Sequence, residues 1–106
     1  MEIQIPFNTW SAENISFWGK RATSRRKQYG EVGDTFFVLD KEYKIDLIAR
    51  LPLWFIDKEL YESEGCLTPA AFKRIWRAIH GLEEWNGEEI VYYHHFRKVG
   101  EKQEED

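Results

Sequence analysis

Five Trp, five Tyr and seven Phe are carried by a chain of only 106 residues, and so many large flat side chains must be buried in a small volume. A small β-barrel or sheet with helices packed on it provides the inward-facing positions that such a load needs. The length is enough for one hydrophobic core and too short for two ordinary domains. Residues 1–99 are therefore expected to form a single α+β domain. From Gly100 onward the chain reads GEKQEED, acidic and polar with no apolar anchor to offset ordering entropy, so residues 100–106 are expected to be a disordered tail.

Local patterns divide the rest into elements. Glu2 to Phe7 alternates, with Ile3, Ile5 and Phe7 on one side, as a half-buried strand does, and Pro6 marks it as short or at an edge. Asn8 or Ser11 can cap a brief helix that runs to about Trp18 and stops at Gly19. Ala22 to Arg26 reads as extended, sending Thr23 and Arg25 to one face and Ser24 and Arg26 to the other. Gly30, Gly33 and Asp34 form a loop before a strand at Thr35 to Leu39, and Asp40 to Glu42 reads as a hairpin turn.

Lys44 to Phe55 is expected to be one long strand bent at Pro52, with Ile45, Leu47, Ala49 and Leu51 on the same face. A short helix capped by Asp57 then spans Asp57 to Glu64 and ends at Gly65. Thr68-Pro69 is the strongest helix start in the chain, an N-cap followed by a proline whose missing N–H loses no bond at the first helical position. Phe72, Ile75, Trp76 and Ile79 form an apolar stripe at helical spacing and read as core, while Lys73, Arg74 and Arg77 solvate the other side and Gly81 ends the helix. Glu89 to Val99 closes the domain as a strand.

Charge adds the functional hint. The run Gly19 to Lys27, GKRATSRRK, holds five cations and no acid in a chain whose formal net charge is -4. A basic block inside an acidic protein is a local site for an anionic partner and not a by-product of composition. The single Cys66 cannot make an internal disulfide, and the amino terminus lacks the pattern of a secretory signal, which predicts a cytoplasmic, reducing setting. The most apolar stretch, Ile45 to Ile56, is broken by Asp46, Arg50 and Pro52 and is too short to span a bilayer, so no membrane contact is expected. His94 and His95 alternate across a strand without further ligands, and Cys66 has no evident histidine partner. No metal, no cofactor and no thiol chemistry are expected.

Lys20, Thr23 and Arg25 make a Lys-x-x-Thr-x-Arg element, followed by Gly33-Asp34 before a strand, Glu64-Gly65 after a short helix, a helix ending near Gly81, and a last strand reading IVYYHHFRKV. In this order the set resembles the ASCH domain, a small β-barrel family similar to the RNA-binding PUA domain, over Ile5 to Val99. The resemblance implies a PUA-like barrel of about five or six strands with two or three packed helices. Within that family the chain is similar in size to the N4-acetylcytidine amidohydrolases, whose catalytic Lys, Thr and Glu match Lys20, Thr23 and Glu64. One departure is that the family glycine stands two positions before the lysine, where this chain has Trp18. Aligning Gly19 instead places Arg21, Ser24 and Arg26 at the three sites and leaves no usable base, since arginine stays protonated. The register that keeps Lys20 and Thr23 is preferred.

In the hydrolytic reading Thr23 is the nucleophile, Lys20 the base that activates it, and Glu64 the group that orients the lysine or shuttles a proton to the leaving amine. Glu64 close to Lys20 also favours the charged ammonium, so their separation decides whether base function survives. The alternative is a noncatalytic RNA-binding module. There Arg21, Arg25, Arg26 and Lys27 track phosphates beside Lys20, and Trp18, Tyr29 and Trp54 stack bases. Partners are thus RNA or a nucleoside-like small molecule, and the expected state is a monomer.

Overall fold

The computed structural model describes residues 1–81 and 84–99. The tail expected over residues 100–106 lies outside the described residues. Four antiparallel strands form one sheet: β1 (Ala22–Arg25), β2 (Thr35–Val38), β3 (Lys41–Pro52) and β4 (Ile90–Lys98), in the order β1-β4-β3-β2. The sheet curls into a half-barrel, with helices α1 (Thr9–Glu13), α2 (Leu53–Glu59) and α3 (Pro69–His80) packed around it. The architecture is the α+β, PUA-like one expected, with four strands among the described residues where five or six were anticipated. The difference lies at the amino terminus, where the alternating segment makes a single parallel bridge, Glu2 to Thr35, instead of a strand. Pro6 has no N–H to offer a ladder, and its carbonyl accepts from Arg25 Nη2 at 2.7 Å instead.

Both faces of the sheet are covered. Ala22, Val91 and Tyr93 pack with Leu53 and Ile56 of α2 and Phe72 and Trp76 of α3 on one side. Phe36, Tyr43, Ile45 and Phe96 pack with Ile5 and Ile15 on the other. Alternation along β4 accounts for the split, since Val91 and Tyr93 point one way and His94 and Phe96 belong to the other phase. Phe36, Tyr43 and Phe96 meet at ring separations of 5.1–5.8 Å, two of the three contacts edge-on. This is where much of the aromatic load goes.

Three local expectations change in detail. The face assigned to β3 is broken by a bulge between Ile45 and Leu47: Ile45 opposes Phe96, and Leu47 already opposes His95. One extra residue reverses the inward and outward phase, so Ile45 is fully buried while Leu47 is exposed. The bulged Asp46 turns its carboxylate to His95 Nδ1 at 2.8 Å. Second, β3 ends at Pro52 and α2 begins at once at Leu53, four residues before the expected cap. The first amides of α2 need no side-chain cap, because Leu53 and Trp54 N–H donate to the carbonyls of Glu89 and Gly87 at 2.9 Å each. Asp57 instead lies inside the helix, buried, with Lys73 of α3 at 3.6 Å. Third, Glu64 sits in the turns that follow α2.

The helix α3 keeps its sequence signals: Thr68 accepts from Ala71 N–H at 3.1 Å, Pro69 opens it, and Gly81 closes it at φ +64°. The hairpin turn expected at Asp40 to Glu42 lies earlier: Leu39 and Asp40 form a two-residue turn, since Val38 opposes Lys41 and Glu42 is already paired within β3. Both turn residues have positive φ, +49° and +70°, as a mirror-image turn requires. A leucine there carries strain of about 1–2 kcal/mol that asparagine largely avoids. Leu39→Asn is therefore expected to raise the unfolding free energy by roughly 0.5–1 kcal/mol. Urea denaturation checks it: the midpoint should rise with the slope unchanged.

Candidate active site

The site begins with a distortion. After α1, capped by Asn8 Oδ1 on Ser11 N–H at 2.8 Å, the chain widens into a π-helical turn over Asn14–Trp18 that closes on Gly19 at φ +96°. The Asn14 carbonyl accepts from the N–H of both Gly19 and Lys20, so the turn delivers Lys20 inward just before β1. The Asn14 side chain does the complementary task and donates from Nδ2 to the Gly65 carbonyl at 3.0 Å. Gly65 sits at φ +88°, and a Cβ there would lie 2.6 Å from Asn14 Nδ2. Only glycine fits this approach. The lock fixes the neighbouring residue, Glu64.

Lys20 and Glu64 meet across 44 residues of sequence. Lys20 Nζ donates to the Glu64 carbonyl at 2.8 Å and lies 3.4 Å from Oε1, while Ser24 Oγ donates to Oε2 at 2.5 Å. All three are buried, at 6%, 4% and 8% exposure for Lys20, Glu64 and Ser24. The Trp10 ring covers the ammonium, 5.9 Å from its centroid. Isolated charges at this depth are costly, and here each is paired and hydrogen-bonded.

Thr23 and Arg25 share a face of β1, as alternation requires. Arg25 Nε donates to Thr23 Oγ1 at 3.1 Å, and the guanidinium is flanked by Phe7 at 4.9 Å and Tyr29 at 5.5 Å. Burial pushes the Arg25 pKa below its ordinary value, with Tyr29 and Glu64 opposing that shift. Behind them lies His94, fully buried. Tyr29 N–H can only donate, so His94 Nε2, 3.0 Å away, accepts, and the ring proton resides on Nδ1, 3.2 Å from the Thr23 carbonyl. The neutral ring thus ties the Tyr29 loop to the backbone of Thr23. Desolvation lowers its pKa below the ordinary histidine value.

A cleft of about 400 Å³ opens over this group and is lined by Lys20, Thr23, Ser24, Arg25 and Glu64. Its walls are Pro6, Phe7 and Trp10 on one side and Phe72, Ile75, Trp76, Ile79 and His80 of α3 on the other. The apolar stripe of α3 therefore serves twice. Phe72 and Trp76 are buried as core, while Ile79, 56% exposed, lines the cleft. Cys66 lines it too, but burial pushes its thiol up to about 11, so it is protonated near neutral pH.

The remaining basic and aromatic candidates lie elsewhere. Arg21 is exposed, with its backbone bonded to Ser63 and Phe96. Arg26 makes a two-point contact with Glu89, at 2.8 and 3.3 Å, above the Trp76 ring. Lys27 rests on Tyr29 at 4.9 Å. Trp18, 78% exposed, and Trp54 are absent from the lining of the cleft. Among the described residues no three His, Cys, Asp or Glu side chains cluster as a metal site would require. None of the described helices is long and apolar enough to cross a membrane. Sequence reasoning missed Ser24 as a partner of Glu64, Trp10 as the lid of Lys20, and α3 as a cleft wall.

By sequence, no family model and no curated protein matches the chain. By structure, it is similar to the crystal structure of an ASCH domain from Lactobacillus crispatus JV V101, with a TM-score of 0.71 at 15% identity, covering 90% of this chain and 77% of that one. The chain has the ASCH domain fold.

Two outcomes test the scaffold of the site. Gly65→Ala is expected to cost at least about 2 kcal/mol, from a strained positive φ and the collision with Asn14; thermal melting measures it, and a loss below about 1 kcal/mol would show that Asn14 moves aside. For His94, a folded pKa below the unfolded value means that the unfolded chain binds more protons as pH falls. The stabilisation is complete above about pH 6.5 and is lost as pH drops from there toward the folded value. Melting temperature should fall on acidification through this window, and His94→Asn, less stable at neutral pH, should show a flatter dependence.

Proposed function

We propose that the cleft hydrolyses the exocyclic amide of an acylated pyrimidine nucleoside, with N4-acetylcytidine as the reference substrate. The observation that supports this reading is that the amine of Lys20, the hydroxyl of Thr23 and the carboxylate of Glu64 line one cleft. These are the groups that the resemblance to ASCH amidohydrolases assigns to catalysis. The volume falls in the range of small-molecule sites, roughly 300–1,000 Å³, and Phe7, Trp10 and Trp76 offer flat surfaces for a base.

In this reading the Lys20 ammonium first releases a proton to water in the cleft, and Thr23 Oγ1 then adds to the acyl carbonyl as its own proton passes to the neutral Nζ. Arg25 Nε–H already donates to Thr23 Oγ1, so the hydroxyl's own hydrogen is the one left to give away, and the nearby cation favours negative charge on oxygen. Collapse of the tetrahedral intermediate breaks the C–N bond, and the departing cytosine amine takes the proton back from Lys20, directly or through Glu64. Water then hydrolyses the threonyl ester by the same proton route and restores the hydroxyl.

A strand-tracking RNA module is the less supported reading. Its cations are dispersed: Lys20 is buried, Arg25 is engaged by Pro6 and Thr23, and Arg26 by Glu89. Chromatographic assay of cytidine release from N4-acetylcytidine separates the two. Turnover is expected in the wild type, with kcat/KM lowered at least about 10²-fold in Lys20→Ala and Thr23→Ala. Absence of turnover, together with binding of a short single-stranded RNA whose affinity falls with salt by about 0.7 log units per phosphate contact, would overturn the hydrolase in favour of the module.

A further inference from the structure

We infer that Ser24 is a positioning residue whose hydroxyl holds the Glu64 carboxylate and keeps it from closing on the Lys20 ammonium. The functional consequence rests on the hydrolase reading, but the geometry does not. Ser24 Oγ and Glu64 Oε2 are 2.5 Å apart, at the short end for a hydroxyl on a carboxylate. Lys20 Nζ and Oε1 are 3.4 Å apart, longer than the roughly 2.7–2.9 Å of a fully formed ammonium–carboxylate bond. The short contact of Lys20 is with a neutral acceptor, the Glu64 carbonyl, at 2.8 Å. Rotating the carboxylate to tighten the ion pair would stretch the Ser24 bond. The hydroxyl therefore holds the carboxylate away from a fully closed ion pair with Lys20.

Other ionisable groups lie near the pair. Arg25, of the same strand as Ser24, acts on Glu64, and Arg74 of α3 acts on the neighbouring Cys66. Cys66 and Tyr93 of β4 are held neutral by burial, and His80 of α3, on the cleft wall, is shifted down by burial and by Arg26. None of these fixes the orientation of the carboxylate as Ser24 does.

The test is competitive labelling of Lys20 with acetic anhydride at one fixed, mildly alkaline pH, read by peptide mass spectrometry on the full chain. In Ser24→Ala, where the carboxylate is free to close on Nζ, labelling should slow by roughly tenfold. Ser24→Thr, which keeps the hydroxyl, should label at the wild-type rate. Should Ser24→Ala fail to fold, Ser24→Cys, a weaker donor, should give a smaller slowing. An unchanged or faster labelling rate in the variant that lacks the hydroxyl overturns the inference. Labelling needs no turnover, so an inactive wild type would sink the hydrolase reading and leave this result to stand. With an active wild type, Ser24→Ala should lose kcat about tenfold near pH 7 and regain it at higher pH with KM unchanged, and a loss that is the same at every pH would argue for a merely structural role.

Discussion

Burying Lys20 beside Glu64 is the constraint around which the rest of the molecule is arranged. Each charge would lose several kcal/mol of hydration at this depth, and the surroundings compensate group by group. The ammonium has the Glu64 carbonyl, one carboxylate oxygen and the Trp10 face, and the carboxylate has Ser24 as its second donor. Those partners come from α1, β1 and the turns after α2. The π-helical turn, the positive φ of Gly19 and the bare α-carbon of Gly65 are the backbone means by which they are brought together. A widened helical turn next to a buried charge is a common sign of a functional position, and here the reason is visible: the extra residue aims Lys20 inward.

The sheet supports this arrangement by being covered on both sides. Its two apolar layers hold β1 at an edge whose outer flank is closed by the N-terminal segment and α3 instead of a fifth strand. An edge strand normally exposes unpaired backbone groups. In this molecule the edge becomes the floor of a cleft, and its side chains on both faces, Ser24 on one and Thr23 with Arg25 on the other, reach the same hollow. The buried neutral imidazole of His94 stiffens that floor from behind, so the position of Thr23 depends on a residue that never contacts the cleft.

The fold was largely legible because its punctuation is strong. Asn8, Gly19, Thr68-Pro69 and Gly81 mark helix ends by mechanisms that do not depend on tertiary context, and the strands expected over 35–39 and 89–99 are found within one residue of those bounds as β2 and β4. What failed to show was set by pairing. The bulge at Asp46 cannot be read from apolar alternation, which runs smoothly through Ile45 and Leu47, and the early start of α2 depends on carbonyls supplied by Gly87 and Glu89, more than thirty residues away. At the site, Lys20, Thr23 and Glu64 were named through a family pattern, and all three line the cleft. Ser24 entered the sequence reading only through the disfavoured register, because strand alternation says no more than that it faces away from Thr23. What it faces is decided by the Gly65 contact.

The cleft draws its polar groups and its far wall from different parts of the chain. Amine, hydroxyls and carboxylate come from Lys20 to Glu64, while Ile75 and Ile79 belong to a helix with its own caps and its own anchors in Phe72 and Trp76. The outer residues of that helix can therefore change without disturbing the polar group opposite, because the anchors keep the helix in place. A scaffold divided in this way lends itself to diversification: the polar group can be kept while the shape of the cleft is altered through a few side chains on a single helical face.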